Sequence, residues 1–485
     1  MLDLTAYNLS HTELSVFKYF EELTAIPRGS GNMQKIADYC VAFAEKFSLR
    51  YYRDDFNNVV IFKAGTKGFK NADPIILQGH LDIVCQKEPE KEIDFLTDGL
   101  KIYRDGDFIK ADGTTLGGDN GIAVAYILAI LASDDIPHPP IEAVLTTDEE
   151  IGLIGAGGLD KTILKAKKMI NIDSESDDVL TVSCAGGEDV IFKIPLNFKT
   201  QNGTLLNISI GGLLGGHSGV EINKERTNAN MLLGQLLEYL DENHKISLIS
   251  VAGGTKENAI PNSATATVCS ENGENLLLLV DNFKTLYLGN IKKSEPDAFI
   301  KVEKGEAGSF TCMDTRTKEN IITLLTKTPN GVVKMSEEIE GLVETSLNLG
   351  VLKTEGDTIT AVFALRSNKE NALQNLSGQI VAIGKKLNAE TETEGFYPPW
   401  EFNPNSPLRE LYKECYKEQN GKEIRVEAIH AGLECAVFSA NMPGLDCISV
   451  GPNLFDVHTT NEKLSISSTT KTFNLLLNVL KSLNQ

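Results

Sequence analysis

Apolar residues recur at helical spacing in two segments near the start of the chain. Residues 12–26 (TELSVFKYFEELTAI) and 33–47 each place apolar side chains three and four positions apart, which predicts two amphipathic helices. Residues 121–132 (GIAVAYILAILA) are apolar nearly all round, which predicts a buried helix. Short continuous apolar runs predict buried strands at 58–62, 74–78, 141–145 and 168–171. Strands that alternate with helices predict an α/β layer whose sheet is covered on both faces.

From about Gly187 the apolar positions alternate instead, as in EDVIFKIPL and TLLNISIGG. Strands and helices then follow one another in two rounds, with helices predicted near 228–241, 272–286 and 318–325. Strand–helix–strand repeats of antiparallel character predict an α+β insert made of two ferredoxin-like units. After a proline-rich link (YPPWEFNPNSP) the α/β pattern returns. We therefore expect a catalytic domain at 1–188 and 393–485, interrupted by a lid domain at 189–392.

Composition narrows the class of protein. A chain of 485 residues exceeds one typical core, which agrees with two domains. The formal net charge of −21 argues against a nucleic-acid or anionic-membrane partner. Eight cysteines without any CxxC pair indicate reduced thiols, and neither a secretory signal nor an apolar run of membrane-spanning length is evident. We expect a cytoplasmic protein with a small-molecule substrate.

Metal-binding residue types follow the predicted strands. His80 and Asp82 are separated by one residue, so on a strand both side chains point the same way and Asp82 can orient the imidazole. Asp173 ends the run KMINID, again just past a strand. A strand-end ion pair and a turn residue are the plain alternatives for these positions.

Two further acidic positions have competing interpretations. Asp119 lies in GTTLGGDNGI, where it can cap the following helix or bridge two cations through its two oxygens. Glu149 and Glu150 are adjacent, so in extended chain one faces a metal and the other the substrate. A solvated acidic turn is the alternative for this pair.

Seven histidines separate into two groups. Those in glycine-punctuated or strand-end contexts are His80, His217, His430 and His458. We expect His11, His138 and His244, which stand in polar or proline-rich stretches, at the surface.

The order of these segments resembles a known enzyme family. HLD, GGDNG, DEEIG, NIDSE and a late histidine occur in the order found in the co-catalytic zinc peptidases, which include carboxypeptidase G, the aminoacylases and the carnosinases. LQGHLDIV, KADGTTLGGDNGIAVA, GGHSGVEI, NAIPNSATA and HAGLECAVF are similar to blocks of the bacterial aminoacyl-histidine (Xaa-His) dipeptidases. These blocks span about residues 75–465.

The resemblance implies a zinc-peptidase-type fold with a central mixed sheet and a role for each matching residue. His80 and Asp173 would hold one Zn²⁺, Glu150 and His458 the other, and Asp119 would bridge them. The Asp119–Asn120 peptide bond would be cis. A metal-bridged hydroxide would attack the peptide, with Glu149 as general base and Asp82 orienting His80. His217 would stabilise the oxyanion, and the substrate's ends would meet Arg226, Asn258, His430, Gly432 and Glu434.

The function expected from the sequence is thus a dinuclear metal-dependent dipeptidase acting on unblocked, carnosine-like Xaa-His substrates. An N-acyl amino acid deacylase of the same family is the alternative enzyme, and an inactive peptide-binding relative is the alternative outside enzymes. Co²⁺ or Mn²⁺ can replace Zn²⁺ at such nitrogen and oxygen ligands. The choice between monomer and homodimer stays open, as does the subunit in which His217 acts.

Overall fold

A computed structural model of the protein describes residues 2–483, and the chain divides into two compact units. The first unit comprises Met1–Cys184, Phe402–Ala428 and Leu433–Gln485. The second comprises Ala185–Glu401 and Ile429–Gly432. The second unit is therefore inserted into the first, and four residues near position 430 return to it after the main insertion.

An eight-stranded mixed sheet organises the first unit. Its four inner strands run parallel, and the outer pairings whose direction is defined are antiparallel. Across the sheet the strands are Arg50–Arg53, Val59–Lys63, Ile141–Thr146, Ile75–His80, Lys168–Asn171, Asp446–Ser449, Val179–Cys184 and Arg425–Ile429. The four predicted apolar strands are all present here, within two residues of their predicted ends. A separate four-stranded sheet contains Leu454–Phe455, Lys463–Ser465, Phe108–Ala111 and Ile102–Asp105.

The α-helices of the first unit are His11–Thr24, Gln34–Lys46, Gly118–Ala132, Ile154–Gly158, Pro407–Asn420, Glu434–Asn441 and Ile466–Ser482. The first begins in a capping box, because the Ser10 hydroxyl accepts from the Glu13 backbone N–H and the Glu13 carboxylate accepts from that of Ser10. The helix predicted at 121–132 is confirmed as a buried segment of Gly118–Ala132.

The second unit is built on a single nine-stranded sheet, so both strand–helix rounds share one layer. In order its strands are Phe299–Met313, Phe198–Gly211, Ala264–Ser270, Ser247–Gly253, Val343–Glu355, Thr358–Ser367, Gly186–Pro195 and Glu390–Tyr397, with Gly331–Met335 paired to Val343–Glu355. A two-stranded ladder joins Gly216–His217 to Ala259–Ile260. The helices are Ala229–Asn243, Gly273–Phe283, Gly289–Ile291, Thr315–Lys327 and Glu370–Lys386, with a π-helix at Lys284–Leu288.

One expectation about the histidines is wrong. His138 is fully buried, because its ring packs into the first unit while its Nδ1 lies 2.7 Å from the Pro139 carbonyl. Its backbone N–H also donates to the Thr66 hydroxyl. Proline neighbours thus indicate a tight turn here but not exposure. Within residues 2–483, no helix combines the length and apolar character that a membrane crossing requires.

Candidate metal centre

Three of the five predicted ligands, His80, Glu150 and Asp173, lie at or just beyond the carboxyl ends of three neighbouring parallel strands. His80 is the last residue of Ile75–His80 and is in register with Thr146, the last residue of the adjacent strand. Gln78 is in register with Asn171 at the end of the third strand, and Asp173 follows two residues later. Parallel strands place all these ends on one edge of the sheet, so distant parts of the chain converge there.

His80 forms the first half of the cluster. Its Nε2 lies 3.2 Å from Oδ1 of Asp119 and 3.5 Å from Oδ1 of Asp173. Its other ring nitrogen, Nδ1, lies 3.4 Å from Oδ1 of Asp82. Nε2 therefore faces the two carboxylates while Asp82 holds the ring from behind, which is the arrangement of a metal-bound histidine and its orienting partner.

His458 forms the second half. Its Nε2 lies 3.1 Å from Oδ2 of Asp119 and 2.9 Å from Oε1 of Glu150. Asp119 thus turns one oxygen to each histidine, and it belongs to two of the three three-residue groups whose ligand atoms lie within 4.8 Å of one another. The carboxylate oxygens of Asp119 face the two histidines, and Asp119 itself has non-helical backbone angles before the helical residues that start at Gly121.

Glu149 belongs to the third group, with one residue from each half of the cluster. One of its carboxylate oxygens falls within the same 4.8 Å limit of His80 and Glu150. Burial raises the pKa of Glu149 well above its usual range, and the charges of Asp173, Glu150 and Glu434 raise it further despite the opposing effect of His80. This carboxyl group therefore holds a proton more firmly than an ordinary glutamate does.

The negative charges in the ligand cluster favour the binding of cations. Burial alone would lower the pKa of His80, yet the Asp173 and Asp119 carboxylates raise it well above its usual value. Hydrogen bonds to Asp119 and Glu150 raise the pKa of His458 to about 11. Burial and neighbouring carboxylates raise the pKa of Asp173 to about 6. Carboxylates outnumber imidazoles here, and this mixture of oxygen and nitrogen donors suits Zn²⁺ and related divalent ions.

Two side chains lock the ligand loops together. Asp82 accepts hydrogen bonds from the backbone N–H groups of Glu149 and Glu150, at 3.1 and 3.2 Å, and from the Ser30 hydroxyl at 2.8 Å. Asn120 accepts from the His80 N–H at 3.1 Å and donates to the Ile172 carbonyl at 2.6 Å.

Sequence reasoning missed this role of Asn120, although an amide directly after the expected bridging residue was a usable signal. The cis peptide bond expected between Asp119 and Asn120 is present.

Glu434 also lies in the first unit and is fully buried. Its Oε2 accepts hydrogen bonds from the Thr146 hydroxyl, at 2.7 Å, and from the Gln78 side-chain amide. Its Oε1 has no hydrogen-bond partner among the described residues. Burial and the charges of Asp173 and Asp82 raise the pKa of Glu434 to about 7, against an opposing effect of His80.

The other expected residues lie in the second unit. Nδ1 of His217 accepts from the backbone N–H groups of Gly219 and Val220, at 3.1 and 3.2 Å. The neutral ring consequently carries its proton on Nε2. Arg226 donates to Glu221 at 2.9 Å and to the Gly215 carbonyl, so it braces this segment.

Asn258 lies beside the His217 segment, since its carbonyl accepts from the Ser218 N–H at 2.9 Å. His430 is buried between the Ser346 hydroxyl, 2.7 Å from Nε2, and Oδ1 of Asn368, 3.2 Å from Nδ1. Gly432 lies against the Tyr397 ring, where a Cβ atom would come within 3.1 Å.

A family model and several known proteins are similar to this chain. The model of peptidase family M20/M25/M40 matches residues 76–482. A cytosol non-specific dipeptidase of Escherichia coli strain K12 is 35% identical over 473 residues, which cover 96% of each chain. The crystal structure of an aminoacylhistidine dipeptidase from Vibrio alginolyticus is similar with a TM-score of 0.88 and 33% identity, covering 99% of this chain and 98% of that one. The aminopeptidase PepT of Bacillus cereus shares the fold, at TM-score 0.58 and 17% identity over 98% of this chain and 99% of that one.

Proposed function

The chain belongs to peptidase family M20/M25/M40 and is a metal-dependent dipeptidase, and we propose that it hydrolyses unblocked Xaa-His dipeptides. The observation that carries the proposal is Asp119, whose two oxygens each face a different histidine within 3.2 Å. A carboxylate placed in this way can serve two cations at once. The name of the similar Vibrio enzyme, an aminoacylhistidine dipeptidase, supports the choice of a C-terminal histidine.

Five residues would hold the cations. In this proposal His80 and Asp173 bind one, Glu150 and His458 bind the other, and Asp119 contributes to both. Zn²⁺ is the proposed metal, with Co²⁺ and Mn²⁺ as ions that the same donors accept. Bound divalent cations supply Lewis acidity, which lowers the pKa of water and polarises a carbonyl oxygen.

Glu149 is the proposed general base. It lies beside the ligand cluster, with one carboxylate oxygen within 4.8 Å of ligand atoms of His80 and Glu150. In this role Glu149 removes a proton from the attacking water and later gives it to the leaving amine. In the metal-free protein, burial and the neighbouring carboxylates raise the pKa of Glu149, so this group takes up a proton more readily than an ordinary glutamate does.

His217 is the proposed donor to the oxyanion. Its Nδ1 is occupied by two backbone N–H groups, so the ring offers an N–H on Nε2 without needing a positive charge. A fixed donor of this kind stabilises negative charge that develops in the transition state. The donor acts in its own chain or in a second copy, and the proposal is the same in both cases.

The proposed site must also bind the two ends of the substrate. Asn258, His430 and Gly432 stay the proposed contacts in the second unit, and Glu434, with one oxygen unpartnered, stays the proposed contact for the substrate's ammonium group. Arg226 was expected to bind the carboxylate, but a substrate would have to compete with Glu221 for it.

Arg366 is a second candidate for the substrate carboxylate. Its Nη1 donates to the Tyr397 hydroxyl at 2.9 Å, and its charge is one of the causes that lower the pKa of His430. Arg366 and Gly432, another expected contact residue, both neighbour Tyr397, and a guanidinium group is well suited to a planar carboxylate.

A cytoplasmic location is part of the proposal. The similar Escherichia coli protein is named a cytosol enzyme, and all eight cysteines are free thiols.

A substrate panel tests the function. The purified protein is assayed with Ala-His, β-Ala-His, Gly-His, Ala-Gly and N-acetyl-histidine, with and without a chelator. We expect hydrolysis of the unblocked dipeptides, fastest with C-terminal histidine, and loss of all turnover with the chelator that Zn²⁺ restores. Turnover of N-acetyl-histidine alone would favour the deacylase, and chelator-resistant turnover would overturn the proposal.

A further inference from the structure

A buried carboxylate lies behind the ligand cluster and is not itself a ligand. Glu462 is 3% exposed and stands four residues after His458. Its Oε2 accepts from the backbone N–H groups of Leu116 and Gly117, at 2.7 and 3.0 Å. Its Oε1 accepts from those of Gly118 and Asp119, at 2.8 and 3.3 Å. One side chain thus binds four successive amides of the loop that presents Asp119.

A buried arginine holds the same loop from another direction. Arg28 is 2% exposed, and its Nη2 donates to the Gly117 carbonyl at 2.7 Å. Its Nη1 donates to the carbonyl of Leu81, the residue between His80 and Asp82, at 2.8 Å. Arg28 therefore ties the loop of the first histidine to the loop of Asp119.

The glycines of this loop make room for both groups. Gly117 has φ +66°, a conformation that L side chains rarely adopt, and an added Cβ would lie 2.9 Å from Nη2 of Arg28. At Gly121 an added Cβ would lie 2.4 Å from the same nitrogen. The GGDNG segment is thus shaped around its buried partners as well as around a metal.

We propose that Glu462 and Arg28 are positioning residues that fix Asp119 between His80 and His458. These two side chains join three ligand-bearing segments, from distant parts of the chain, through six hydrogen bonds to backbone atoms. Backbone bonds set the position of a loop more rigidly than contacts between flexible side chains do. The two oxygens of Asp119 are thereby placed before any cation arrives.

The alternative is that Glu462 only stabilises the fold, and Glu142 provides a matched control for it. Glu142 lies in the same unit, is 5% exposed, and accepts hydrogen bonds of 2.9–3.1 Å from the backbone N–H groups of Lys165 and Ala166. It stands at the opposite end of its strand from Glu149. Glu142→Gln and Glu462→Gln therefore remove the same kind of interaction at two distances from the cluster.

The experiment titrates metal-free protein with Co²⁺ and follows both binding and the visible absorption of the bound ion. Glu462→Gln should weaken Co²⁺ binding by about 10–100-fold and change the spectrum, as loss of an orienting partner does at other metal sites. Glu142→Gln should lower the melting temperature but leave affinity and spectrum unchanged. Glu462→Asp keeps the charge yet cannot reach all four amides, so it should fall between wild type and Glu462→Gln.

Wild-type affinity and spectrum in Glu462→Gln would overturn the inference and leave only a structural role. If that variant does not fold, the same comparison with Glu462→Asp decides. Arg28→Lys keeps the positive charge but loses the guanidinium group that donates to two backbone carbonyls, so it should also weaken Co²⁺ binding.

The inference rests on the dinuclear site of the proposed function. Failure of the wild type to bind two Co²⁺ would end that proposal, whereas a normal Glu462→Gln variant would end this inference alone.

Discussion

His80 in the first unit and His430 in the second are both buried, at 1% and 5% exposure, yet their surroundings displace their pKa values in opposite directions. Carboxylates around His80 raise its pKa well above the usual value. Burial, with the charge of Arg366, lowers the pKa of His430 to about 3.

The difference shows that the two regions are built for different charges. The carboxylates around His80 carry an excess of negative charge, which bound cations would neutralise. That region therefore suits metal ions. Burial and the Arg366 charge keep the ring of His430 uncharged, and its two nitrogens face neutral groups, the Ser346 hydroxyl and the Asn368 amide. That second region therefore suits hydrogen bonding to a substrate, and its arginines suit an anionic group. The predictions below test this division from the largest expected effect to the smallest.

Glu149→Gln tests the reactive side of the first region. Removal of the proton acceptor should lower kcat by about 10²–10⁴-fold, the range typical of general bases. Binding of two metal ions should persist, because none of the proposed ligands is changed. Steady-state kinetics with Ala-His and metal analysis of the purified variant check both points. A variant with near-wild-type kcat would remove Glu149 from the mechanism.

His217→Ala tests the second region's contribution to the reaction. Loss of one oxyanion donor should lower kcat by about 10²–10³-fold, with a much smaller change in KM. His244→Ala is the matched control, since that histidine lies in the same unit and its Nε2 is 3.0 Å from the Ser270 hydroxyl. An equal loss in both variants would indicate general damage to the unit instead.

Metal binding should release protons. His458 has a pKa of about 11 and that of His80 is raised, so both rings are protonated at pH 7 in the metal-free protein. Each ring must give up its proton to bind a cation, so acidification should weaken binding by about tenfold per pH unit for each proton. Calorimetry in buffers of different ionisation enthalpy measures the number released. Binding without proton release would contradict the charge state assigned to the first region.

His430 should show the opposite linkage, in stability. Its folded pKa of about 3 lies below the ordinary value, so its contribution is complete above about pH 6.5 and declines as the pH falls towards 3. At pH 5 about 2 kcal/mol of the free energy of unfolding should be lost through this residue. Denaturant melts of metal-free wild type and His430→Asn between pH 5 and 7.5 isolate it. Identical pH dependence in the two proteins would refute the assignment.

More of the first region than of the second could be predicted from the sequence. His80, Glu150 and Asp173 lie at or just past the ends of apolar strands, so position and residue type made them candidate ligands, with an ion pair or an acidic turn as the alternative. The resemblance to known motifs then supplied the pairing, including the cis bond after Asp119. The strand at 141–146 and the helix at 118–132 were predicted nearly to their ends for the same reason, since long apolar runs are strong local signals.

What the sequence could not predict are contacts between side chains and distant backbone. Asn120 reaches the carbonyl of Ile172, and Glu462 reaches amides 343 to 346 residues away in the chain. Neither contact leaves a local pattern. Arg226 was expected to be available for substrate, but its pairing with Glu221 depends on how a loop folds back. His138 was misplaced for a similar reason, because burial of a single turn depends on the packing around it.

The central claim is that Asp119 serves two cations, and a calorimetric titration of metal-free protein with Zn²⁺ tests it most directly. We predict two equivalents per chain for the wild type, and weaker binding of both ions in Asp119→Ala, because both groups of ligands lose a shared member. A single equivalent for the wild type, or two equivalents of unchanged affinity for Asp119→Ala, would contradict the account.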